Sequence, residues 1–372
     1  MQLKSRKKIL FVKNLYQNPK FITNDLEILS KEYSVKLLNF KSRKNALILF
    51  SMIHQFFYLL FNIWRYDLVY IWFADYLSFY PVLFAKILSK KSIICAGGYE
   101  ATYIPEINMG VFTNASFSKS VRAFCVRYSL KNCTYILPVD ETLIEHTNNY
   151  IYSDIPGKAP LKDGIKQFIP GIKTCFKTMY LGYDSEHFKK PGNISKERSV
   201  VSAGLIVNED EYRRKGFDLL IEAAKQMQDV KFILIGFNEE YLDKYKETIS
   251  SNVELFGIVP YSKLIEEYSK AKVYAQFSMF EGMPSSICEA MLCECIPVGS
   301  DVNGIPKIID SCGFIAAKKD VNEIKEAILK AFELDDSEGA KAREHIIKYF
   351  TYDNRKSELL RFVKDILKQS FH

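Results

Sequence analysis

The chain has 372 residues, enough for two domains with cores of their own, and its 48% hydrophobic and 26% charged residues exclude a disordered protein. The net charge of +7 is uneven, because residues 1–190 carry 26 Lys and Arg against 14 Asp and Glu, whereas residues 191–372 carry 25 against 30. A basic first half favours nucleic acid or an anionic membrane as partner, and since no nucleic-acid motif occurs we expect the membrane and no nucleic acid.

The first half of the chain alternates between predicted strands and predicted helices. Five short apolar runs predict strands, at 8–12, 35–40, 67–73, 92–96 and 133–139. Helical patterns lie between them, for example at 21–29 and 118–130, and 104–118 is predicted to be a long loop. Strands that alternate with helices predict a parallel, doubly wound sheet.

Residues 45–64 form an apolar stretch almost long enough to span a bilayer. Polar residues recur in it at helical spacing, namely Ser51, Gln55, Tyr58 and Asn62. Because a doubly wound fold needs a crossover helix here, we reject a spanning helix and expect a core helix, or one whose outer face also dips into the membrane interface. Its flanks are basic and aromatic, as in interfacial helices, which favours membrane contact: Lys41, Arg43, Lys44, Trp64 and Arg65.

Gly97 and Gly98 follow the fourth predicted strand at its carboxyl end, where open α/β sheets bind ligands. Two glycines predict a tight turn against a ligand or against neighbouring backbone. Glu100 comes directly after this turn. A ligand-binding turn and a purely structural turn both remain open.

The second half begins after a charged stretch at 189–196 that contains Pro and Gly and predicts a linker. Five further strands are predicted, at 200–204, 232–236, 253–257, 273–277 and 296–298. Residues 208–214 are predicted to be a polar loop that leads to a helix from Phe217. A last helix is predicted at 352–369.

The eight cysteines contain no Cys-x-x-Cys pair, and several lie in apolar patterns, which predicts reduced, buried thiols in a cytoplasmic protein. Cys293 and Cys295 have acidic neighbours but no nearby His, so packing is favoured and no metal is expected. The first ten residues lack the apolar stretch and cleavage site of a signal peptide, which favours the same compartment.

Residues 278–300 carry the strongest functional pattern. A predicted strand ends before this segment, Gly282 lets the backbone approach a ligand closely, and Pro284 and Ser285 suit the first turn of a helix. A strand, a glycine turn and a helix start present backbone N–H groups and the positive end of a helix dipole at one point. Such a point binds phosphate.

Charged residues frame this point. Glu281 lies in the loop and Glu289 in the second turn of the helix, three residues beyond Ser286, so Ser286 and Glu289 are expected to face one cleft. A carboxylate one turn beyond such a helix start can accept both hydroxyls of a ribose. Lys215, which precedes Gly216 at the start of another helix, can place its ammonium on a diphosphate.

The run Glu-Gly-x-Pro-Ser-Ser-x-Cys-Glu-Ala-Met at 281–291 closely resembles the Glu-x7-Glu motif of the retaining nucleotide-sugar glycosyltransferases of the GT-B fold, the group classed as family four. The resemblance covers 198–330 well and the first half mainly by layout. It implies an α/β, GT-B fold with two facing Rossmann-like, doubly wound domains and a C-terminal crossover helix. The implied parts are an N-terminal acceptor-binding domain at 1–190, a C-terminal nucleotide-sugar-binding domain at 191–350, and a crossover helix at 351–372 that packs on the first domain.

The resemblance also implies the site residues. Lys215 would hold the donor phosphates, Glu281 would orient the sugar hydroxyls and Glu289 would hold the ribose. The implied catalytic residues are Glu281, Lys215 and Glu100. The implied donor contacts are Glu289, Lys215, Gly282, Met283, Pro284, Ser285, Ser286, Gly204, Arg214 and Gly304. The family needs no divalent metal or other cofactor, and the donor would be a UDP- or GDP-linked sugar.

Two departures from the family's pattern lie in the first half. Many relatives place a His near Gly97 to contact the donor sugar, and this chain has none there, so Glu100 or Tyr99 is the candidate replacement. Many relatives also carry a glycine-rich acceptor loop after the first strand, and this chain has Asn-Leu-Tyr-Gln-Asn-Pro at 14–19 instead. The acceptor chemistry is therefore open.

A third departure lies in the second half. Relatives usually have an Arg after the glycine of the domain's first strand, where this chain has Leu205, and Arg213 or Arg214 is the candidate substitute. The missing His and Arg keep a second class of function open, namely a non-catalytic subunit that binds a sugar nucleotide or a glycan.

The reaction that the resemblance implies is transfer of a sugar from a nucleoside diphosphate sugar with retention at the anomeric carbon. An acidic donor domain and a basic first domain fit a membrane-associated, lipid-linked glycan acceptor in cell-surface polysaccharide synthesis. The expected partners are therefore a sugar nucleotide, a glycan or lipid-linked acceptor and an anionic membrane, with the protein cytoplasmic and peripheral on the inner face of the cell membrane. A DNA-modifying glucosyltransferase shares the architecture and would instead accept duplex DNA.

Overall fold

The computed structural model describes residues 6–13, 19–39, 45–112, 116–192, 194–246 and 249–368, with the side chains of 45–47 set aside. The chain forms two compact units. The first comprises Met1–Glu145, Asp163–Gly182 and Tyr352–His372, and the second comprises His146–Lys162 and Tyr183–Thr351. This division differs from the expected boundary at 190, because residues 146–162 and 183–190 group with the second unit.

Sixteen strands occur in the described residues. In chain order they are β1 (Lys8–Lys13), β2 (Ser34–Asn39), β3 (Leu68–Trp72), β4 (Lys91–Ala96), β5 (Tyr103–Ile104), β6 (Met109–Gly110), β7 (Tyr135–Pro138), β8 (His146–Asn148), β9 (Leu161–Asp163), β10 (Cys175–Phe176), β11 (Glu197–Ile206), β12 (Lys231–Phe237), β13 (Val253–Gly257), β14 (Ala271–Gln276), β15 (Ile296–Ser300) and β16 (Phe314–Ala316).

Fourteen α-helices occur in the same residues, together with short 3-10 turns. In chain order they are α1 (Lys20–Glu32), α2 (Asn45–Asn62), α3 (Phe79–Ile87), α4 (Phe117–Asn132), α5 (Ile165–Phe168), α6 (Glu209–Arg214), α7 (Phe217–Lys225), α8 (Glu239–Lys246), α9 (Tyr261–Lys270), α10 (Ser285–Leu292), α11 (Ile305–Ile309), α12 (Val321–Glu333), α13 (Ser337–Tyr349) and α14 (Tyr352–Lys368).

The first unit is built on a parallel sheet with the strand order β10-β7-β4-β3-β1-β2. All of β3 is buried, as expected for an apolar strand covered on both faces. The five strands predicted here are all present, each within two residues of its predicted bounds. The predicted loop at 104–118 was partly wrong, because β5 and β6 pair there in an antiparallel hairpin.

The second unit is built on a parallel sheet with the order β13-β12-β11-β14-β15-β16. From β11 the chain first adds strands on one side and then, from β14, on the other. The strand order therefore reverses between β11 and β14, and open α/β sheets bind ligands at the carboxyl ends of the strands beside such a reversal. The predicted pair of doubly wound α/β domains is confirmed.

The polar loop predicted at 208–214 is wrong, because this stretch forms α6. The side chain of Asn208 caps the helix by accepting from the Glu211 amide at 2.8 Å. Acidic residues fill the first turn and arginines the last, which favours a helix through its dipole. Tyr212 is buried and stacks on Tyr245 with ring centres 4.5 Å apart, so tertiary packing supports this short helix.

The last helix, α14, groups with the first unit and packs on α1. The Arg355 guanidinium, almost fully buried, lies 2.7 Å from a carboxylate oxygen of Asp25 in α1. The same guanidinium donates to the carbonyl of Met179 at 2.7 Å. This buried pair ties the end of the chain to its beginning.

Helix α2 turns the polar stripe that contains Gln55 and Tyr58 inward, whereas His54 is exposed. Gln55 is fully buried and donates to the carbonyl of Leu77 at 2.9 Å. Leu59 is buried beside it, whereas Phe57 and Phe61 are exposed. Among the residues that the structure describes, no helix is long and apolar enough to cross a bilayer. The predicted basic flank at 41–44 and the segment 14–18 lie outside the described residues.

Candidate functional site

The turn between β14 and α10 is the centre of the candidate site. β14 ends at Gln276, α10 begins at Ser285, and the residues between them, including Gly282 and Met283, are buried. Pro284 precedes the helix in an extended conformation. The first N–H groups of a helix have no acceptor within that helix, so this start can receive an anion. The turn lies at the reversal of strand order in the second sheet.

A second turn, between α6 and α7, brings Lys215 to this place. Gly216 has a φ of +72°, and a Cβ there would lie 2.3 Å from the carbonyl oxygen of Phe277. Glycine is therefore needed for the close approach of this turn to the end of β14. The Met279 amide also donates to the carbonyl of Arg214 at 2.8 Å. These contacts hold Lys215 beside the loop that follows β14.

Gly204, near the end of β11, leaves room for the Lys215 side chain. A Cβ at position 204 would lie 3.3 Å from the Cγ and Cδ atoms of Lys215. Gly236, with a φ of +113°, is more tightly constrained, since a Cβ there would lie 2.1 Å from the Gly204 carbonyl oxygen. Gly204, a predicted donor contact, thus acts on the site through the position of Lys215.

Lys215 and Glu281 form a largely buried ion pair. The Lys215 Nζ lies 2.6 Å from the Glu281 Oε1, and the two side chains are 14% and 11% exposed. Arg214 donates to the same oxygen at 3.2 Å and lies 2.6 Å from Glu211. Arg213 is exposed, so of the two candidate arginines the structure brings Arg214 into the site.

The charges of this cluster shift one another's ionisation. Burial by itself raises the pKa of Glu281, but the Lys215 ammonium and the Arg214 guanidinium outweigh it and hold that pKa below its usual value. Burial lowers the pKa of Lys215, and the Glu281 carboxylate opposes that shift. Glu281 is therefore a carboxylate at neutral pH.

Two neutral side chains complete the surroundings of the Glu281 carboxylate. Gln276 and Ser278 donate to its Oε1 at 3.2 and 3.0 Å. The side-chain oxygen Oε1 of Gln276 accepts from the hydroxyl of Tyr274 at 3.0 Å and from the hydroxyl of Ser286 at 3.2 Å. Within the described part of the chain, the four side-chain donors to Glu281 all reach Oε1 and none reaches Oε2. Oε2 is the oxygen that remains for a ligand.

The loop after β15 closes one side of this turn. The side-chain oxygen of Asn303 accepts from the Glu281 amide at 3.3 Å. The Gly304 amide donates to the carbonyl of Gly282 at 3.3 Å. Gly304, a predicted donor contact, therefore supports the turn through its backbone.

Glu289 lies in the second turn of α10, one turn beyond Ser286, as the spacing predicts. It is half-buried on the side that packs toward α9. Burial, and after it the negative charge of Glu289, raises the pKa of Tyr261 at the start of α9. The charges of Glu281 and Glu289 both act on Tyr274, which donates to Gln276, so Glu289 lies near α9 and within electrostatic reach of the cluster around Glu281.

Glu100, the third predicted catalytic residue, belongs to the first unit and points into the protein. Its buried carboxylate accepts from the amides of Gly97 and Gly98, each at 3.3 Å. Burial raises its pKa to about 7. Tyr99 is partly exposed, with the Arg122 guanidinium 4.9 Å from its ring centre. Of the two roles left open for this turn, the geometry supports the structural one for Glu100.

Sequence reasoning missed Gln276 and Asn148. A polar residue at the carboxyl end of an otherwise apolar strand is the signal that could have identified Gln276, because strand ends face ligands in such sheets. Asn148 donates to the carbonyl of Met279 at 2.9 Å. No local pattern connects the segment that contains Asn148 with the second unit.

All eight cysteines are free thiols, and seven of them are buried while Cys175 is exposed. Cys295 donates to the carbonyls of Tyr268 and Ala271 at 3.0 and 3.4 Å, which supports the packing interpretation of this pair of cysteines. Across the described ranges, no group of three His, Cys, Asp or Glu side chains is arranged to hold a metal ion.

Comparison with known families identifies the second unit. Residues 185–351 match the family Glycosyl transferases group 1 and form a domain of that family. The phosphatidylinositol N-acetylglucosaminyltransferase GPI3 subunit of Saccharomyces cerevisiae is 26% identical over 163 residues, which are 40% of this chain and 36% of that protein. O-antigen chain mannosyltransferase B of Escherichia coli is 31% identical over 115 residues, 30% of each chain. The chain thus matches about a third of the length of these relatives.

Comparison with solved structures covers nearly the whole chain. The crystal structure of Anabaena HepE in complex with UDP and glucose has a TM-score of 0.66, with 13% identity over 96% of this chain and 100% of that chain. At this identity the likeness shows the fold alone. That fold is the predicted GT-B arrangement of two Rossmann-like domains.

Proposed function

We propose that this chain is a retaining glycosyltransferase that moves a sugar from a UDP- or GDP-linked donor to a membrane-associated, lipid-linked glycan acceptor in cell-surface polysaccharide synthesis. One observation carries the proposal. Lys215 and Arg214 converge with Glu281 at the start of α10, inside a Glycosyl transferases group 1 domain.

The donor chemistry follows from these charges. The bond between the anomeric carbon and the diphosphate breaks, and the diphosphate leaves with the electron pair. Lys215, Arg214 and the N–H groups at Ser285 and Ser286 stabilise the negative charge that develops on it. The acceptor hydroxyl bonds to the same carbon and gives its proton to an oxygen of the departing phosphate.

Glu281 orients the sugar in this proposal. Its Oε1 is held by four side chains, so its Oε2 has a defined direction in which to accept from sugar hydroxyls. Glu289 takes the ribose hydroxyls, since it lies one turn beyond the phosphate-binding helix start. Retention rests on the resemblance of residues 281–291 to the Glu-x7-Glu motif.

The acceptor and the location rest on charge and on relatives. One relative is named as a phosphatidylinositol N-acetylglucosaminyltransferase and another is named for the O-antigen chain. The surplus of positive charge in residues 1–190 fits an anionic membrane. We therefore place the protein on the cytoplasmic, inner face of the cell membrane, where sugar nucleotide and lipid-linked acceptor meet.

A non-catalytic subunit that binds a sugar nucleotide is the second candidate. The observation that favours it is the burial of Glu100 against backbone amides. Because its carboxylate points into the protein, Glu100 does not replace the His that many relatives place near this turn. Turnover separates the two functions, since a binding subunit is stabilised by the nucleotide but transfers no sugar.

The test begins with thermal unfolding in the presence of individual sugar nucleotides, because a donor that binds the folded state raises the Tm. Transfer from the stabilising donor to lipid extracts is then measured, with the anomeric configuration of the product read by NMR. Lys215→Ala should abolish both stabilisation and transfer, whereas Lys225→Ala, at an exposed lysine of the same unit, should change neither. Unchanged transfer in Lys215→Ala would refute the assignment.

A further inference from the structure

The outward face of α2 is largely apolar, and the exposed His54 is the polar residue within it. Its apolar side chains are between 46% and 70% exposed and recur every three or four residues, ending just beyond the helix: Leu49, Phe50, Ile53, Phe57, Leu60, Phe61 and Trp64. This set is called the α2 face below. Contiguous apolar surface of this kind marks a site of interaction with a protein or a membrane.

Hydrogen bonds on the inner side hold this orientation. Gln55 donates to the buried carbonyl of Leu77, and the Tyr58 hydroxyl lies 2.6 Å from the Tyr66 hydroxyl. Rotating the helix to hide its apolar side would leave these polar groups without their partners, which is costly for buried groups. The α2 face is therefore a stable feature of the first unit.

Helix α3 packs on α2, and its end carries further exposed apolar side chains. Ile87 and Leu88 are exposed there. The Lys90 ammonium donates to the carbonyl of Trp64 at 3.4 Å, which joins the end of α3 to the end of the α2 face. Apolar and basic groups thus lie side by side on one edge.

A basic cavity borders the α2 face at Trp64. It has a volume of about 500 Å³ and is lined by Arg6, Lys7, Lys8, Trp64, Arg65 and Asp67. Asp67 is paired with Lys7 at 3.0 Å, so the cavity keeps a surplus of positive charge. The Arg65 guanidinium lies 5.1 Å from the centre of the Trp64 ring. A phosphate group suits such a cavity.

We propose that the α2 face docks the protein on an anionic lipid bilayer, with its apolar side chains in the interface and the basic cavity on lipid phosphates. Trp64 lies between the two regions, as tryptophan does at membrane surfaces. The charge of the cavity favours a membrane over a protein partner. The apolar α2 face would contact the acyl chains of a bilayer, and the four cations of the adjacent cavity would contact its anionic headgroups. The proposal rests on the membrane part of the proposed function and deepens it by naming the surface.

The test is co-sedimentation of the full chain with vesicles. Vesicles of phosphatidylcholine and phosphatidylglycerol in equal parts should retain the protein at low salt. Vesicles of phosphatidylcholine alone should retain much less, and salt should release the protein, because headgroup attraction is screened. Equal retention on both vesicles would overturn the role of the basic cavity.

Matched variants test the face itself. Phe57→Ser with Phe61→Ser removes two exposed rings and should lower the partition coefficient by about tenfold or more. Ile258→Ser removes an equally exposed apolar side chain from the second unit and should leave binding unchanged. Arg65→Gln should weaken binding to anionic vesicles and flatten the salt dependence. Circular dichroism checks that each variant is folded.

Two outcomes would overturn the proposal. One is wild-type retention by the Phe57 and Phe61 double variant. The other is a wild-type dimer that ignores vesicles and becomes a monomer in the double variant, which would make the α2 face a contact between two copies of the chain. Lys215→Ala should bind vesicles normally while losing stabilisation by the donor, so failure of docking and failure of the donor site are told apart.

Discussion

The Lys215 ammonium lies 2.6 Å from one oxygen of the Glu281 carboxylate, and the two residues are 66 positions apart in the chain. The two oxygens of the Glu281 carboxylate differ in their surroundings. The side-chain donors of the protein all bind Oε1, so Oε2 remains for a ligand. The carboxylate also gives Lys215 and Arg214 an internal counterion. In the proposed reaction, an anionic donor therefore competes with Glu281 for these cations.

The first prediction concerns that competition. Glu281→Gln removes the counterion but keeps the side-chain shape, so transfer should fall by about a hundredfold or more. Binding of the nucleoside diphosphate alone should become tighter, because Lys215 and Arg214 are no longer neutralised. Isothermal titration and initial rates measure the two effects.

Glu222→Gln is the matched control for this variant. Glu222 is half-exposed and pairs with Lys225 on the surface of the same unit, so its loss should change neither binding nor rate. Weaker nucleotide binding in Glu281→Gln would contradict the role given to the counterion.

The second prediction concerns Gln276, which positions Glu281 through one hydrogen bond and Ser286 through another. Gln276→Met removes both hydrogen bonds while keeping a side chain of similar length. It should lower kcat about tenfold, with a smaller change in the KM for the donor. Gln276→Glu places a second carboxylate beside Glu281 and should cost more.

The pH dependence of the rate tests whether Gln276 acts on the charge of Glu281. A like charge raises the pKa of Glu281, so the acid limb of the rate profile should move to higher pH in Gln276→Glu. A profile unchanged from that of the wild type, or a larger loss in Gln276→Met, would show that Gln276 does not act on the charge of Glu281.

The third prediction concerns the pH dependence of stability at Glu100. Burial raises the pKa of Glu100 from 4.5 to about 7. The unfolded chain therefore loses this proton near pH 4.5 while the folded chain keeps it until about pH 7. Its contribution to the free energy of unfolding is complete below the lower value and falls by about 3 kcal/mol as the pH rises through the upper one.

Urea unfolding at several pH values measures this effect. Glu100→Gln cannot ionise, so the difference in unfolding free energy between variant and wild type should shift in the variant's favour between pH 4.5 and pH 7. Parallel pH curves for the two proteins would mean that Glu100 titrates normally.

The fourth prediction concerns the buried pair of Asp25 and Arg355. Arg355→Met leaves the Asp25 carboxylate buried without its cation and should lower the unfolding free energy by about 3–5 kcal/mol. The exposed Arg361 lies on the same helix, and Arg361→Met should cost less than about 0.5 kcal/mol.

A double variant completes that experiment. Asp25→Asn combined with Arg355→Met removes both charges and should recover part of the loss, because no unpaired charge remains buried. Additive losses would show that the two residues stabilise the first unit independently.

Local patterns determined most elements of this protein. Apolar runs predicted the strands of both sheets, since a strand buried on both faces needs a continuous apolar segment. Gly282, Pro284 and Ser285 predicted the start of α10. Helix α6, which was expected to be a loop, is only six residues long and depends on the packing of Tyr212 as well as on its cap.

Tertiary structure decided which of these elements meet. Lys215 and Glu281 each stand out locally, but they pair because β11 lies beside β14 in the sheet. The segment 146–162 groups with the second unit through contacts such as that of Asn148 with Met279. No pattern in the neighbouring sequence predicts this contact.

Helix α2 shows why the sequence pattern alone does not determine which side of a helix faces the core. Its periodicity determined that one side is polar and the other apolar, and both would fit a helix in either orientation. The partners on neighbouring elements, the Leu77 carbonyl and the Tyr66 hydroxyl, decided that the polar side faces inward. Spacing along the chain reports which residues share a face, whereas the direction of that face depends on groups that are distant in sequence.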